Sequence, residues 1–163
     1  MSAVQPEATI VPVLVGSFHR AVAQERSPSE IEEYESFVGA LCEAIREREA
    51  AGKRVCWIAG VDMAHVGKSF GDEDTLTPEK MAKIGDRDRE YLAALERLDK
   101  DALLSHICED GDARRICGFP TMYTILDVFG RLGKSPSASL ISYEQAIDYA
   151  GECAVTFAGM VMR

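Results

Sequence analysis

The chain has 163 residues, of which 47% are hydrophobic and 28% are charged, and this balance predicts one globular domain over residues 1–163 with its own core. Its net charge of −9 argues against nucleic acid as a partner, because an acidic surface repels phosphate backbones. Residues 1–7 lack a charged and apolar leader, and no apolar run is long enough to span a bilayer, so we expect a cytoplasmic protein without a membrane partner.

The first predicted elements form a strand–helix–strand unit. Apolar and β-branched residues at 9–16 predict a buried strand. A helix is predicted next, with Ser27 as the first residue of a capping box and Gly52 as its end. Residues 54–60 are again apolar and β-branched, which predicts a second buried strand. Strand, helix and strand of these lengths predict a parallel βαβ unit with a right-handed crossover.

The second predicted strand leads directly into Asp62 and His65. In open α/β sheets, residues that handle ligands lie just past the carboxyl ends of strands. An acid and an imidazole at that place form the best candidate site in the sequence; the alternative is that Asp62 caps a turn and His65 lines it. The parallel unit also places Ser17, Phe18 and His19 at this edge of the sheet. His19 is then either a further site residue or a solvated loop histidine.

Two amphipathic helices are predicted after this site. Thr77 caps the first, whose apolar stripe ends at Leu98, and the charged run at 86–90 predicts its solvated face. Asp99 caps a shorter helix, which Gly111 ends. No pattern in the second helix indicates more than a structural or surface role for His106 and Cys108.

Cys117 is the second candidate for chemistry. The five cysteines of the chain are widely spaced and form no CxxC pair, which predicts free thiols. Pro120 predicts the start of a helix, so Cys117 lies just ahead of a helix N-terminus, where the dipole and the free N–H groups favour a thiolate. Such a thiol serves as a metal ligand, a nucleophile or a redox centre; the alternative is a buried, inert cysteine.

The last predicted elements are strands at 139–143 and 155–161. With the strands at 9–16 and 54–60 they complete the predicted fold, an α/β domain with a mainly parallel sheet and flanking helices. No internal repeat, low-complexity tract or interdomain linker divides the chain.

Several stretches together resemble one family. They are Asp62-x-x-His65-x-Gly67, the turn Ile116-Cys117-Gly118-x-Pro120, and the closing segments 140–143 and 155–159, all preceded by the strand at 10–16. In this order and spacing they resemble the Memo family, known in prokaryotes as AmmeMemoRadiSam system protein B. The fold of that family is similar to that of LigB-type class III extradiol ring-cleaving dioxygenases, in which two histidines and a carboxylate hold a non-haem iron.

The resemblance implies an active site that contains Asp62, His65 and Cys117. His65 would be the acid or base imidazole, and Cys117 would take the position of the dioxygenase carboxylate, so that these two residues are the metal ligands available here. A thiolate ligand favours copper and does not exclude iron. The family's metal-binding histidines lie upstream of the strand at 9–16, in an N-terminal half that we expect this chain to lack, so the chain resembles the C-terminal part of the family.

Three functions are compatible with these observations. The first is a metal-dependent, dioxygenase-like oxidoreductase, with Cys117 as ligand and His65 as a proton shuttle oriented by Asp62. The second is a non-enzymatic metal-binding or protein-interaction module, or half of a split protein. The third is a thiol hydrolase with Cys117 as nucleophile. Apolar strands with few charges predict a homo-oligomer or a complex with a separate N-terminal partner chain, and the family implies radical-SAM and AMMECR1-type proteins as associates.

Overall fold

The computed structural model describes residues 8–16 and 18–163. The expectations for residues 1–7 and for Ser17 lie outside the described residues. In chain order the helices and strands are α1 (His19–Ala23), α2 (Glu32–Ala50), β1 (His65–Val66), α3 (Pro78–Glu96), α4 (Lys100–Cys108), α5 (Phe119–Arg131), β2 (Ala138–Asp148) and β3 (Cys153–Met162). Short 3-10 turns at Pro28–Glu30 and Lys68–Phe70 precede α2 and follow β1.

The predicted helix starts are confirmed. Ser27 and Glu30 form both halves of the capping box, although the box opens the 3-10 turn and α2 itself begins at Glu32. The Thr77 side chain accepts a hydrogen bond from the third amide of α3, and Asp99 does the same for α4. These caps could be predicted because each satisfies amides only two or three residues away.

The sheet corrects the prediction of a mainly parallel arrangement. An α/β composition is present, but the three strands of the described residues lie in the order β1–β3–β2 and both pairings are antiparallel. The turn between β2 and β3 is too short for a crossover, and the Asp148 carboxylate closes it by accepting the amides of Ala150 and Gly151. A short turn of this kind can join only antiparallel neighbours. β3 is therefore the central strand.

The predicted strands at 9–16 and 54–60 are not strands in the described chain, so the βαβ prediction is wrong. Both segments are apolar, yet neither pairs with a described strand. Leu14 is 99% exposed and Ile58 is 68% exposed. A strand needs a neighbour for its amides and carbonyls, and β3 is paired with β2 on one edge and begins to pair with β1 on the other.

The larger core lies among the helices rather than on the sheet. The ring of Phe18 meets the rings of Tyr34, Phe119 and Tyr123 edge-on, with centroids 5.3, 5.9 and 5.7 Å away. The Tyr34 hydroxyl donates to the buried carboxylate of Asp127, which ties α2 to α5. Edge-on aromatic contacts add to the free energy gained by burying these rings. This core fixes α5, and the candidate cysteine lies just ahead of the N-terminus of that helix.

A second, smaller core fills the space between α3 and the sheet. Its members are fully or nearly fully buried: Ala64, Val66, Leu76, Met81, Ile84 and Ala154. It holds β1 and hence His65 against β3. No helix within residues 8–16 and 18–163 combines the length and the apolar character needed to cross a membrane.

Candidate functional site

Two segments that are far apart in sequence are joined by backbone hydrogen bonds at the candidate site. The His65 amide donates to the Arg114 carbonyl over 2.7 Å, and the Gly118 amide donates to the Asp62 carbonyl over 3.1 Å. The Arg115 guanidinium also donates to the His65 carbonyl. The Asp-x-x-His segment and the turn that carries the cysteine therefore form one unit, as the sequence motifs imply.

The glycines of both motifs allow this close approach. A Cβ at Gly118 would lie 2.6 Å from the Asp62 carbonyl oxygen and 2.9 Å from a methyl carbon of Val61. Gly67 has a φ of +107°, and a Cβ there would overlap the Glu152 carbonyl. A side chain at either position would push the backbones apart, since these contacts are shorter than van der Waals distance.

The surroundings of His65 fix its tautomer. Its Nδ1 lies 3.1 Å from the Met63 carbonyl oxygen and 3.2 Å from the Arg115 carbonyl oxygen. Carbonyl oxygens only accept hydrogen bonds, so in the neutral ring Nδ1 carries the proton and Nε2 keeps its lone pair. Nε2 lies 3.9 Å from the Asp62 carboxylate, and the ring packs edge-on against Phe70. His65 thus presents a basic nitrogen beside an exposed acid.

Cys117 lies one residue ahead of Gly118, the N-cap of α5, so its predicted place before a helix is confirmed. Its side chain is exposed, which does not agree with the alternative of a buried cysteine. All five cysteines are free thiols, as predicted. The Cys117 thiol donates to the Asp62 carbonyl over 3.6 Å rather than to an imidazole nitrogen. This geometry does not favour a Cys117–His65 pair of the kind that a thiol hydrolase requires.

A cleft of about 310 Å³ opens beside the cysteine. Cys117, Arg115, Asp112, His19 and Phe18 are among the residues that line it. Asp62 and His65 are not among the residues that line it. The structure thus places His19 in the same cleft as Cys117, and His65 outside the lining of that cleft.

A match over nearly the whole sequence shows the family of this chain. Residues 1–161 match the family described as Memo-like protein. The chain belongs to the Memo-like family. A relative from Aquifex aeolicus (strain VF5), described as a MEMO1 family protein, is 31% identical over 104 residues, which cover 64% of this chain and 26% of the relative. The chain therefore spans about a quarter of that relative's length. No solved structure matches this chain significantly.

The donor atoms of the Memo-like chain do not by themselves fit a resident iron or copper ion. Within residues 8–16 and 18–163, no group of three or more His, Cys, Asp or Glu side chains is placed to hold a metal. Protein metal centres usually take about three or four protein ligands, and the predicted pair of His65 and Cys117 supplies two. The role of these two residues as metal ligands stays a prediction.

A cluster centred on Asp72, which sequence reasoning missed, supports the His65 carbonyl. Arg115 donates both to that carbonyl and to Asp72, which also accepts from Lys80 and from the Gly67 amide. Burial alone would raise the pKa of Asp72, but the hydrogen bonds from Lys80, Gly67 and Arg115 outweigh burial and lower it to about 2. An acidic loop gives no sequence signal for this role, because its partners lie on distant segments.

Asp88 is the second residue of the Memo-like chain that sequence reasoning missed. The charged run at 86–90 predicts a solvated face, but Asp88 has no exposed surface. Its carboxylate accepts hydrogen bonds from Arg114, Tyr143 and Thr156. Helical spacing places Asp88 four residues after the core residue Ile84 and three before the core residue Tyr91, and this is the signal that could have found it.

Proposed function

We propose that this Memo-like chain supplies one side of a site through Asp62, His65 and Cys117, and that it completes the site by pairing the segments at 9–16 and 54–60 with strands of another polypeptide. One observation carries the proposal: both segments are apolar and without a strand partner among the described residues. Each also leads directly into residues of the site or of the cleft beside it.

The exposure of these segments supports the pairing. Leu14 and Ile58 present most of their side chains to solvent, although apolar surface gains about 25 cal/mol for each Å² removed from water. The unpaired backbone amides and carbonyls of such a segment can also form hydrogen bonds with a strand of another chain in place of water. A strand laid beside residues 54–60 would end next to Asp62, and one laid beside 9–16 would end next to the cleft that holds Cys117.

The chemistry of the site points the same way. His65 offers a basic Nε2, and Cys117 offers an exposed thiol. These two donors are too few for a metal, so the metal-dependent, dioxygenase-like oxidoreductase with iron or copper is a proposal for the completed assembly and not for this chain alone. The polypeptide that pairs with the two segments would have to supply the remaining ligands.

The partner that we propose is a second copy of the chain or a separately encoded chain that carries the N-terminal half of the family. Radical-SAM and AMMECR1-type proteins are further associates that the resemblance implies. In this proposal the radical-SAM and AMMECR1-type proteins bind the assembled site, because the strand-pairing partner already covers the apolar segments.

Light scattering on the purified chain at micromolar concentration tests the proposal. We expect association, which Leu14→Lys and Ile58→Lys should weaken by placing a charge in the pairing surface. Ile141→Lys is the matched control, because Ile141 is 71% exposed, close to the 68% of Ile58, but lies on β2. A monodisperse monomer with one cooperative thermal transition would show that the segments need no cover, and would refute the proposal.

A further inference from the structure

We propose that Asp88 is a positioning residue, which acts through Arg114 and Thr156 to hold the two site segments in register and to keep the Nε2 of His65 free. The inference rests on the proposed function in taking His65 and Cys117 as the working groups. It adds a residue that neither sequence motif contains.

Asp88 lies where three elements meet. Asp88 itself is on α3, and its Oδ1 accepts a hydrogen bond from Arg114 over 2.6 Å. Its Oδ2 accepts from Tyr143 of β2 over 2.9 Å and from Thr156 of β3 over 2.6 Å. The carboxylate is fully buried, so its charge is compensated inside the protein and not by water. A carboxylate can satisfy these three donors together, because both of its oxygens accept hydrogen bonds.

The first arm runs through Arg114 to the turn that carries the cysteine. Besides Asp88, the Arg114 guanidinium contacts the Nε2 of His106 at 2.6 Å and the Asp110 carboxylate at 3.3 Å, so the whole fork is held. The Arg114 carbonyl accepts the His65 amide. The next carbonyl along the chain, that of Arg115, is one of the two that fix the His65 ring.

The second arm runs through Thr156 to the Asp-x-x-His segment. Because the Thr156 hydroxyl gives its proton to Asp88, its lone pairs are left to accept the Ala64 amide, which lies 2.9 Å away. The Thr156 amide also donates to the Ala64 carbonyl, and the Thr156 carbonyl accepts from the Met63 amide, each over 2.9 Å. The Met63 carbonyl is the other group that fixes the His65 ring. The Arg115 carbonyl is thus one residue away from Arg114, which Asp88 binds directly, and the Met63 carbonyl is one residue away from Ala64, which Asp88 reaches through Thr156.

Replacing Asp88 by asparagine separates this role from packing. Asp88→Asn keeps the shape of the side chain and the acceptor for Arg114, but turns an amide N–H₂ toward the hydroxyls of Tyr143 and Thr156. The Thr156 hydroxyl then loses its acceptor, and the asparagine N–H₂ competes with the Ala64 amide for the lone pairs of that hydroxyl. The arm that ends at Met63 is weakened while the core volume is unchanged.

The test is a long-range ¹H–¹⁵N spectrum of the His65 ring in the full chain, together with the pH profile of Cys117 alkylation by iodoacetamide. We expect the wild-type ring to show a single neutral tautomer with the proton on Nδ1. In Asp88→Asn this single-tautomer signature should be lost and the alkylation profile should shift. Asp86→Asn is the control, because Asp86 is on the same helix, is exposed and binds only Arg89 among the described groups. It should leave both readouts unchanged.

A second pair of variants decides the question should Asp88→Asn not fold. Thr156→Val keeps the side-chain shape and removes the hydroxyl that links Asp88 to Ala64, and Thr156→Ser restores that hydroxyl. We expect valine to lose the single tautomer and serine to rescue it. A folded Thr156→Val or Asp88→Asn chain with the wild-type His65 spectrum would overturn the inference. All of these measurements use the chain alone, so a failure of strand pairing in the scattering experiment does not affect them.

Discussion

The backbones of Gly118 and Asp62 are in direct contact, because the glycine amide donates to the aspartate carbonyl and leaves no room for a Cβ. This contact sets the distance between the turn that carries Cys117 and the segment that carries His65. It also makes a substitution at position 118 a sensitive probe of the site.

Gly118→Ala should destabilise the chain by about 1–3 kcal/mol, because the added methyl would lie 2.6 Å from the Asp62 oxygen. Urea unfolding measures the difference. Gly130→Ala, inside α5, is the control, since a Cβ there meets no atom within 4 Å apart from the backbone of its own helix, and it should stabilise by about 0.5–1 kcal/mol. Equal effects at both positions would contradict the close contact.

Asp72→Asn should reduce stability at neutral pH by about 1–2 kcal/mol. The pKa of Asp72 is lowered to about 2, so its contribution is present above the unfolded-state pKa of about 4 and is lost as the pH falls toward about 2. Unfolding curves between pH 7 and pH 2 should therefore be less pH-dependent in the variant. Asp74→Asn, in the same loop but exposed, should follow the wild type.

His106 should give a separate pH dependence at higher pH. Burial, with Arg114 and Arg87 nearby, lowers the pKa of His106, so the folded state favours the neutral ring. Its contribution is present above the ordinary histidine pKa of about 6.5 and is lost as the pH falls through the lowered value. His106→Gln keeps an acceptor for Arg114 and cannot titrate, so we expect its stability to change less between pH 7 and pH 5. A wild-type slope in the variant would contradict the assignment.

Cys117 should be the most reactive thiol near neutral pH. It is exposed and lies ahead of α5, whereas burial raises the pKa of Cys42 and of Cys108. Alkylation with limiting reagent, followed by peptide mapping, measures the order of labelling. Cys56 is the internal comparison, because it is also exposed but precedes no helix. Earlier labelling of Cys56, Cys42 or Cys153 would count against the prediction.

The isolated chain should bind copper or iron weakly and at less than one ion per chain, because within the described residues no group of three or more His, Cys, Asp or Glu side chains is placed to hold a metal ion. His65→Ala and Cys117→Ser should each reduce the bound metal, while Cys56→Ser should not. Metal analysis after dialysis gives the ratio. Tight binding of one ion per chain would mean that other residues, such as His19, complete the site.

The local features of the fold could be predicted from the sequence, and the long-range pairing could not. Ser27, Thr77 and Asp99 cap amides within the same turn, so their role follows from neighbouring residues. The segments at 9–16 and 54–60 have the composition of buried strands, but composition does not specify which strand lies beside them.

The site was predictable in part for the same reason. The place of Cys117 before a helix was visible in the sequence, because the proline that starts the helix is only three residues away. The contribution of Asp72 was not visible, and for Asp88 the helical spacing indicates only burial and not its partners. Each depends on partners that only the folded chain brings near, such as Arg115 for the first and Thr156 for the second.

The pairing of β2 with β3 also bears on the order in which the chain folds. These two strands are neighbours in sequence, so their hairpin closes a short loop. The contacts that build the site instead join His65 to Arg114 and to Val155, and each closes a long loop with a larger entropic cost. The hairpin can therefore form before the site exists, whereas the site forms only after its distant segments have met.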